Sequence, residues 1–482
     1  MVATSPRSTT PNPAGVRARR AGPLGGPASA DAPSVGLPLR FVLSGLVALL
    51  TGLVWLTLRP DLLATYHYNQ YAVAVTHLFT LGFIATIIMG AMYQLVPVAL
   101  ETRLYSERLA RWQFVVHVVG VAGMVWMFWV WNLKNVGHFG SLLAFGVGLF
   151  VYNLARTLWR IPRWDVVAGG IVSALVWLSL AVLAGLTVAA AKCTYENVPQ
   201  LSPGNPFGPL LHLLRQAPGW VGRFNPVAVM HAHAHLGAVG FFLMMIVAVS
   251  YKLVPMFTLS EMQSPGRAWW SVGLLNGGLV GLFVTMAIGS AWKLGWALVI
   301  VGGLGLYGVE LGAIVRARRR RVLDWGVRYF LTAVGLLAPL SVLGIVLCWP
   351  GLPATLLTTQ LETVYGFLAL IGVVAFAILG FLYKIVPFLV WYHRYSRLVG
   401  RAQVPNLADL YSPRLQAASY WLLVGGLLTA SVSSALAHAR GVQVGCGLLL
   451  AAFLVFAVNL GRILSHFFGP GAVAPPAATK AT

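Results

Sequence analysis

Long apolar runs, separated by short polar or proline-rich segments, follow one another along almost the whole chain. A hydrocarbon core about 30 Å thick is crossed by roughly 20 helical residues, so each run of this length predicts a transmembrane helix. Twelve runs qualify, with approximate bounds 41–58, 71–99, 112–132, 138–155, 165–191, 226–254, 270–290, 293–314, 328–347, 362–386, 416–437 and 443–464. The pattern predicts an all-α, polytopic membrane protein with a single 12-helix transmembrane domain over residues 39–466.

The two ends of the chain differ in composition from this domain. Residues 1–38 are rich in Ala, Pro, Gly and Arg, and residues 467–482 are mostly Ala, Pro and Gly. Such segments bury too little apolar surface to fold, so we expect a disordered basic cytoplasmic tail before the domain and a disordered C-terminal tail after it. The run Phe41–Leu58 is too long for the core of a signal peptide, which predicts an uncleaved first span.

The overall composition excludes a soluble protein. The 482 residues are 58% apolar and 9% charged, whereas a soluble domain carries about 25% charged residues, so membrane lipid is the expected surrounding. Cys193, Cys348 and Cys446 are too few and too far apart for an iron–sulfur or zinc framework. A disulfide between two of them is left as an open alternative.

The net charge of +22 would suggest a nucleic-acid partner in a soluble protein. Here 26 of the 33 Lys and Arg residues fall in the tails and alternate loops that share one side of the membrane. The positive-inside rule places that side in the cytoplasm. We therefore expect cytoplasmic N- and C-termini, a bacterial-type inner (plasma) membrane location, and no nucleic-acid partner.

One pattern of residues recurs on the second, sixth and tenth spans. Counted from His77, His235 and Phe367, offsets +1, +5, +16, +19 and +20 carry Leu, Gly, Tyr, Val and Pro in all three copies. Recurrence on every fourth span predicts three pseudo-symmetric four-helix units, with repeat-bearing helices at 71–99, 226–254 and 362–386. We expect the Pro to end each helix and the Tyr to anchor it at the membrane interface.

Carboxylates are scarce inside the predicted spans. All eleven Asp and Glu residues lie in loops or near helix ends, and the deepest, Glu310, is expected to pair with the basic cluster at 316–321. Proton-coupled transporters generally keep a carboxylate or Lys near the midplane. The distribution therefore argues against a proton pump.

Histidine is the remaining side chain with useful chemistry. His77 and His235 occupy the same depth in their spans, and His231 and His233 precede His235. On a helix His231 and His235 share a face, whereas His233 points elsewhere. Imidazoles at this density favour a bound b-type haem or copper. His77, His235 and His233 are candidate cofactor ligands, and His231, His233 and His235 are candidate metal ligands; the pattern leaves haem and copper open.

These residues resemble the core subunit of the haem–copper oxidases, which has twelve spans in three four-helix arcs. The segment His233-Ala-His235-Leu-Gly, followed by Tyr251-Lys-Leu-Val-Pro255, resembles the His-x-His helix of C-type cytochrome c oxidases and nitric oxide reductases. The spacing is also similar to that of NnrS-like haem-copper membrane proteins. The resemblance implies that His233 holds a high-spin haem, and that His235 and His77 are the two ligands of a low-spin haem.

The sequence departs from that family at several positions. The His-x-His pair lies on the sixth span rather than the tenth, Phe367 occupies the ligand position of the tenth, and the seventh span lacks the His pair that a copper centre needs. These departures argue against a complete oxygen-reducing or proton-pumping centre.

We therefore expect a membrane protein that binds one b-type haem between His77 and His235. Its role would be electron transfer or the handling of NO or O₂, with a respiratory subunit, a cytochrome or a quinone as electron donor. One alternative is a copper-handling protein that adds His138 or His212 to the three histidines of the sixth span. The other is a non-catalytic respiratory assembly subunit.

Overall fold

The structure is a computed structural model that describes residues 33–193 and 223–468. Nearly all of both predicted tails, and most of the connection between the fifth and sixth spans, lie outside the described residues. Within the described residues every regular element is a helix.

Twelve helices of the described residues are long and apolar enough to cross a membrane, which confirms the predicted all-α, 12-helix membrane fold. The tenth differs most from its predicted bounds, since it continues from 386 to Leu398. The helices are α1 Gly36–Leu58, α2 Gln70–Ala99, α3 Glu107–Trp129, α4 Leu133–Leu158, α5 Val166–Cys193, α6 Pro226–Thr258, α7 Pro265–Ala287, α8 Lys293–Arg316, α9 Trp325–Leu347, α10 Leu356–Leu398, α11 Pro413–Ala435 and α12 Ala439–Ser465.

Polar residues between the apolar runs determine where several helices begin. Ser106, Ser264 and Ser412 precede α3, α7 and α11, and each accepts a hydrogen bond from the backbone N–H three residues later. Asn69 and Asn225 cap α2 and α6 in the same way. These caps satisfy backbone donors that a helix leaves unpaired in its first turn.

Helices α2 and α6 end two and three residues after their repeat prolines, at Ala99 and Thr258, whereas α10 continues to Leu398, so the prediction that the proline ends the helix is wrong for α10. Pro97, Pro255 and Pro387 lie inside α2, α6 and α10. Proline removes one donor, and the carbonyl four residues earlier, which belongs to the repeat Tyr, loses its partner. The valine before each proline is at most 1% exposed and packs in the core, and such packing contributes more to helix stability than one backbone hydrogen bond.

The repeat tyrosines are core residues, so their prediction as interface anchors is also wrong. Their exposed fractions are 0%, 2% and 3% for Tyr93, Tyr251 and Tyr383. Each ring packs against an aromatic ring two helices further along the chain, with centroid distances of 5.4, 5.6 and 4.8 Å to Phe150 of α4, Tyr307 of α8 and Phe456 of α12. Each ring therefore contributes its apolar area and one aromatic contact to the core.

A π-helix interrupts each repeat-bearing helix at the same place. The three π-helices are Leu78–Ala85, Leu236–Leu243 and Leu368–Ala375, and each begins directly after the first residue of the repeat. π-Helices are rare and occur frequently at functional sites. The residues immediately before them, His77, His235 and Phe367, are therefore candidates for a functional site.

Buried asparagines also recur at matching positions. Asn153 of α4 accepts a hydrogen bond from the backbone N–H of Ser106 and donates to its carbonyl. Asn459 of α12 makes the same two hydrogen bonds with Ser412. These contacts recur in the first and third of the predicted units, and the three-unit repeat stays a prediction.

Glu310 of α8 lies beside the start of α7, as Asn153 lies beside the start of α3 and Asn459 beside the start of α11. Its carboxylate is fully buried and accepts hydrogen bonds from the backbone N–H groups of Gln263 and Ser264. Its ion-pair partner is Arg267, at 2.8 Å, rather than the cluster at 316–321 that the sequence suggested. The reason is that the helix start at Ser264 lies directly beside Glu310, whereas the cluster follows the end of α8.

Candidate functional site

A cavity of about 540 Å³ lies among α2–α10, within the size range of cofactor pockets. We call the wall formed by residues of α2–α5 the first half of the cavity and the wall formed by residues of α7–α10 the second half, and α6 contributes its three histidines to the lining. The wall is mostly apolar. The polar side chains that reach it include His67, His77, His231, His233, His235, Lys293, Glu362 and Tyr365.

His77 faces the first half of the cavity in a fixed tautomer. Its Nδ1 lies 2.8 Å from the carbonyl oxygen of Val73. A carbonyl only accepts, so Nδ1 carries the proton and Nε2 keeps its lone pair. The ring lies against Phe128 of α3, with a centroid distance of 4.7 Å. Metal-ligating histidines have this arrangement, in which the second nitrogen donates to a backbone carbonyl.

His233 lines the cavity close to His77. Both rings line the cavity, and a positive charge on His77 acts on the His233 ring. The His233 ring lies beside Ala181 and Gly185 of α5, and its buried Nδ1 has no hydrogen-bond partner. Because unpartnered buried nitrogens are costly, this ring is suited to a ligand.

His235 faces the second half of the cavity. Its Nδ1 donates to the His231 carbonyl at 2.7 Å, so its Nε2 accepts from the hydroxyl of Tyr365 at 3.2 Å. Residues two positions apart on an α-helix differ in direction by about 200°. His233 and His235 therefore line different halves of the cavity.

The structure thus pairs these side chains differently from the sequence prediction. That prediction joined His77 to His235, which share the first position of the repeat. The structure brings His77 near His233 and joins His235 to Tyr365. Tyr365 was missed, although its signal was present, because it lies two residues before the repeat start of α10, as His233 does in α6.

The predicted metal ligands His231, His233 and His235 do not form one group. Among the residues that the structure describes, the group able to hold a metal consists of His67, His231 and Glu362, whose ligand atoms all lie within 4.8 Å of one another. His67 lies in the loop before α2, and burial lowers its pKa below the ordinary value. A neutral imidazole of this kind is the form that binds metal ions.

The other predicted ligands and thiols have separate surroundings. His138 is exposed and lies 3.3 Å from Asn135, and His212 lies outside the described residues. Cys348 and Cys446 are free thiols. The side chain of Cys193 falls outside the described residues.

Comparison with known proteins adds information about the fold. No protein-family model matches the chain, and no curated protein matches it. A solved structure that is similar is a haem–copper terminal oxidase dimer determined by cryo-EM. The match has a TM-score of 0.58 and 12% sequence identity, and it covers 92% of this chain and 84% of that one.

At this identity the match shows the fold alone. The chain has the fold of the haem–copper oxidase core subunit, in agreement with the predicted resemblance. The finer resemblance to NnrS-like proteins stays a prediction.

Proposed function

We propose that this protein is an integral membrane haem protein in which one b-type haem binds in the first half of the cavity, between His77 and His233. The main support for this proposal is the orientation of the His77 ring. Its Nδ1 donates to the Val73 carbonyl, which leaves the Nε2 lone pair for a ligand. His233, which also lines the cavity and whose buried Nδ1 has no hydrogen-bond partner, supplies the second imidazole. Two neutral imidazoles from different helices are a suitable ligand set for haem iron.

The choice of His233 over His235 rests on hydrogen bonding. The Nε2 lone pair of His235 already accepts from Tyr365, so iron ligation there would require breaking that bond. Ligation through Nδ1 of His233, which has no hydrogen-bond partner, needs no such change. The pair His77–His235 that the sequence suggested is therefore the second choice.

A haem bound in this way would supply one-electron transfer. The chain's own residues would orient it: Val73 and Phe128 fix the His77 ring, and Gly185 leaves room for the His233 ring. The apolar wall would exclude water from the cofactor. The role we propose is electron transfer or the handling of NO or O₂, as an oxidoreductase without a proton-pumping centre.

We also propose the setting of this activity. The Lys and Arg distribution favours a bacterial-type inner membrane with both termini in the cytoplasm. The electron donor would be a respiratory subunit, a cytochrome or a quinone. In that orientation the cavity histidines lie toward the side opposite to the basic loops.

The test is a reduced-minus-oxidised absorption spectrum of the purified full chain, with haem counted per chain. We expect one b-type haem in the unmodified protein. His77→Ala and His233→Ala should each lose most of it, whereas His235→Ala should keep it. His138→Ala, which changes an exposed histidine outside the cavity, is the matched control.

Two results would contradict the proposal. If the folded protein, produced with sufficient haem, shows no haem absorption, the function is wrong. If His235→Ala loses the haem and His233→Ala keeps it, the haem protein stands but the ligand pair is the one suggested by the sequence.

A further inference from the structure

Three metal-ligating side chains from separate segments meet at one end of the cavity. His67 comes from the loop before α2, His231 from α6 and Glu362 from α10. The Nε2 atoms of the two histidines are 3.0 Å apart, and Oε2 of Glu362 is 4.0 Å from Nε2 of His67. We call these three residues the mouth cluster.

The spacing of the mouth cluster is close to that of ligands around one ion. Zinc bonds to imidazole nitrogen and carboxylate oxygen measure about 2.0–2.2 Å, which places neighbouring ligand atoms roughly 2.9–3.6 Å apart in tetrahedral or octahedral geometry. The two Nε2 atoms already fall within this range. The Glu362 oxygen lies 4.0 Å from Nε2 of His67, and all three ligand atoms lie within 4.8 Å of one another, so it must approach by about 0.4–1.2 Å to reach this spacing, a movement that rotation of a glutamate side chain allows.

The surroundings hold the two rings in place. The rings of His67 and His231 stack with a centroid distance of 5.3 Å and an interplanar angle of 28°. Nδ1 of His67 lies 3.4 Å from Oγ1 of Thr363. The carbonyl of His231 accepts from His235. Contacts of this kind orient metal ligands from outside the ligand set.

Lys293 is the one nearby cation among the described groups that interact with the cluster. It acts electrostatically on both His231 and Glu362. A positive charge there opposes the binding of a second cation and limits affinity. This opposition gives a distinctive expectation, because removing the lysine charge should strengthen metal binding.

We propose that His67, His231 and Glu362 bind one divalent first-row transition-metal ion at the mouth of the cavity. Two imidazoles and one carboxylate are a ligand set used for zinc and for ferrous iron, and they leave coordination positions open. The site shares no ligand with the haem proposed between His77 and His233. The metal site and the proposed haem site can therefore be tested separately, and either can be wrong without the other.

The experiment measures Zn²⁺ binding to the full chain in detergent, by equilibrium dialysis and elemental analysis after removal of adventitious metal with a chelator. We expect one Zn²⁺ per chain. His67→Ala and His231→Ala should each weaken binding by at least about tenfold, since loss of an outer contact alone costs that much. Glu362→Gln should also weaken it, and Lys293→Met should tighten it.

Two variants serve as controls. His138→Ala removes an exposed histidine that lies 3.3 Å from Asn135, and it should leave Zn²⁺ affinity unchanged. His77→Ala should lose haem and keep Zn²⁺. Gel filtration and thermal melting show that each variant is folded.

Several outcomes would overturn the site. It is refuted if the folded, unmodified protein binds no Zn²⁺ at micromolar concentrations. It is equally refuted if His67→Ala and His231→Ala bind as well as the unmodified chain, or if His138→Ala loses as much affinity as they do.

Discussion

The two halves of the cavity have the same plan and different chemistry. In each half, the first residue of the repeat on one helix faces a residue of the next repeat-bearing helix. That second residue lies two positions before the repeat begins on its own helix. The first half has His77 near His233, and the second half has His235 bonded to Tyr365. The difference is that an imidazole whose buried Nδ1 has no partner occupies the position where the second half has a hydroxyl donor.

A glycine on a neighbouring helix accompanies each of these pairs. A Cβ at Gly185 of α5 would lie 3.0 Å from Cε1 of His233, and a Cβ at Gly344 of α9 would lie 3.2 Å from Cε2 of Tyr365. In both halves, therefore, a glycine leaves room for the ring of the residue two positions before the repeat. The two halves thus share the space beside this ring and differ in the side chain two residues before the repeat, which is His233 in one and Tyr365 in the other.

The largest effect is expected from His233→Tyr, which gives the first half of the cavity the tyrosine that the second half has at this position. We expect it to lose most of the bound haem, because a hydroxyl donor to His77 would replace the second iron ligand. Haem per folded chain measures the effect. An unchanged spectrum would mean that the partner of His77 lies elsewhere and that the two halves are not comparable.

A smaller effect is expected from Tyr365→Phe, which removes the hydroxyl that donates to His235. Loss of one buried hydrogen bond costs about 0.5–1.5 kcal/mol, so the free energy of unfolding should fall by that amount. Reversible denaturant or thermal unfolding in detergent measures it. The haem content should not change, and a large loss of haem would show that the first half does not act alone.

The smallest effect is expected from Gly185→Ala. Alanine in a helix is favoured over glycine by up to about 1 kcal/mol, and crowding against His233 offsets this gain, so the net stability change should be under about 1 kcal/mol. The haem absorption band should nevertheless shift, because the ring must move. Gly344→Ala is the matched control, and its band should stay in place; equal shifts in both variants would contradict the assignment.

Most of the fold was predictable from the sequence, because membrane helices are determined by local apolar length. The caps Ser106, Ser264 and Ser412 mark helix starts that the apolar runs located to within a few residues. The ends were harder. Pro387 looked like a terminus, yet α10 continues to Leu398 because its packing outweighs one missing hydrogen bond.

The cavity histidines were predictable as individual residues, and their partners were not. His77, His233 and His235 stood out as buried imidazoles in spans, but which of them meet depends on how each helix is rotated in the bundle. His67 lies in a loop and Glu362 near a helix end, so neither belongs to a periodic pattern. Only tertiary packing brings them to His231.

The π-helices have a consequence for changes in chain length. A π-helix accommodates one residue more than an α-helix of the same extent, and one residue turns a helix by about 100°. The additional residue of the π-helix therefore fixes how the segment that carries His77 is rotated relative to the segment that carries Tyr93. A single-residue deletion between Leu78 and Ala85 would turn one segment against the other and misdirect either the cavity histidine or the core tyrosine, whereas many substitutions there would preserve both directions.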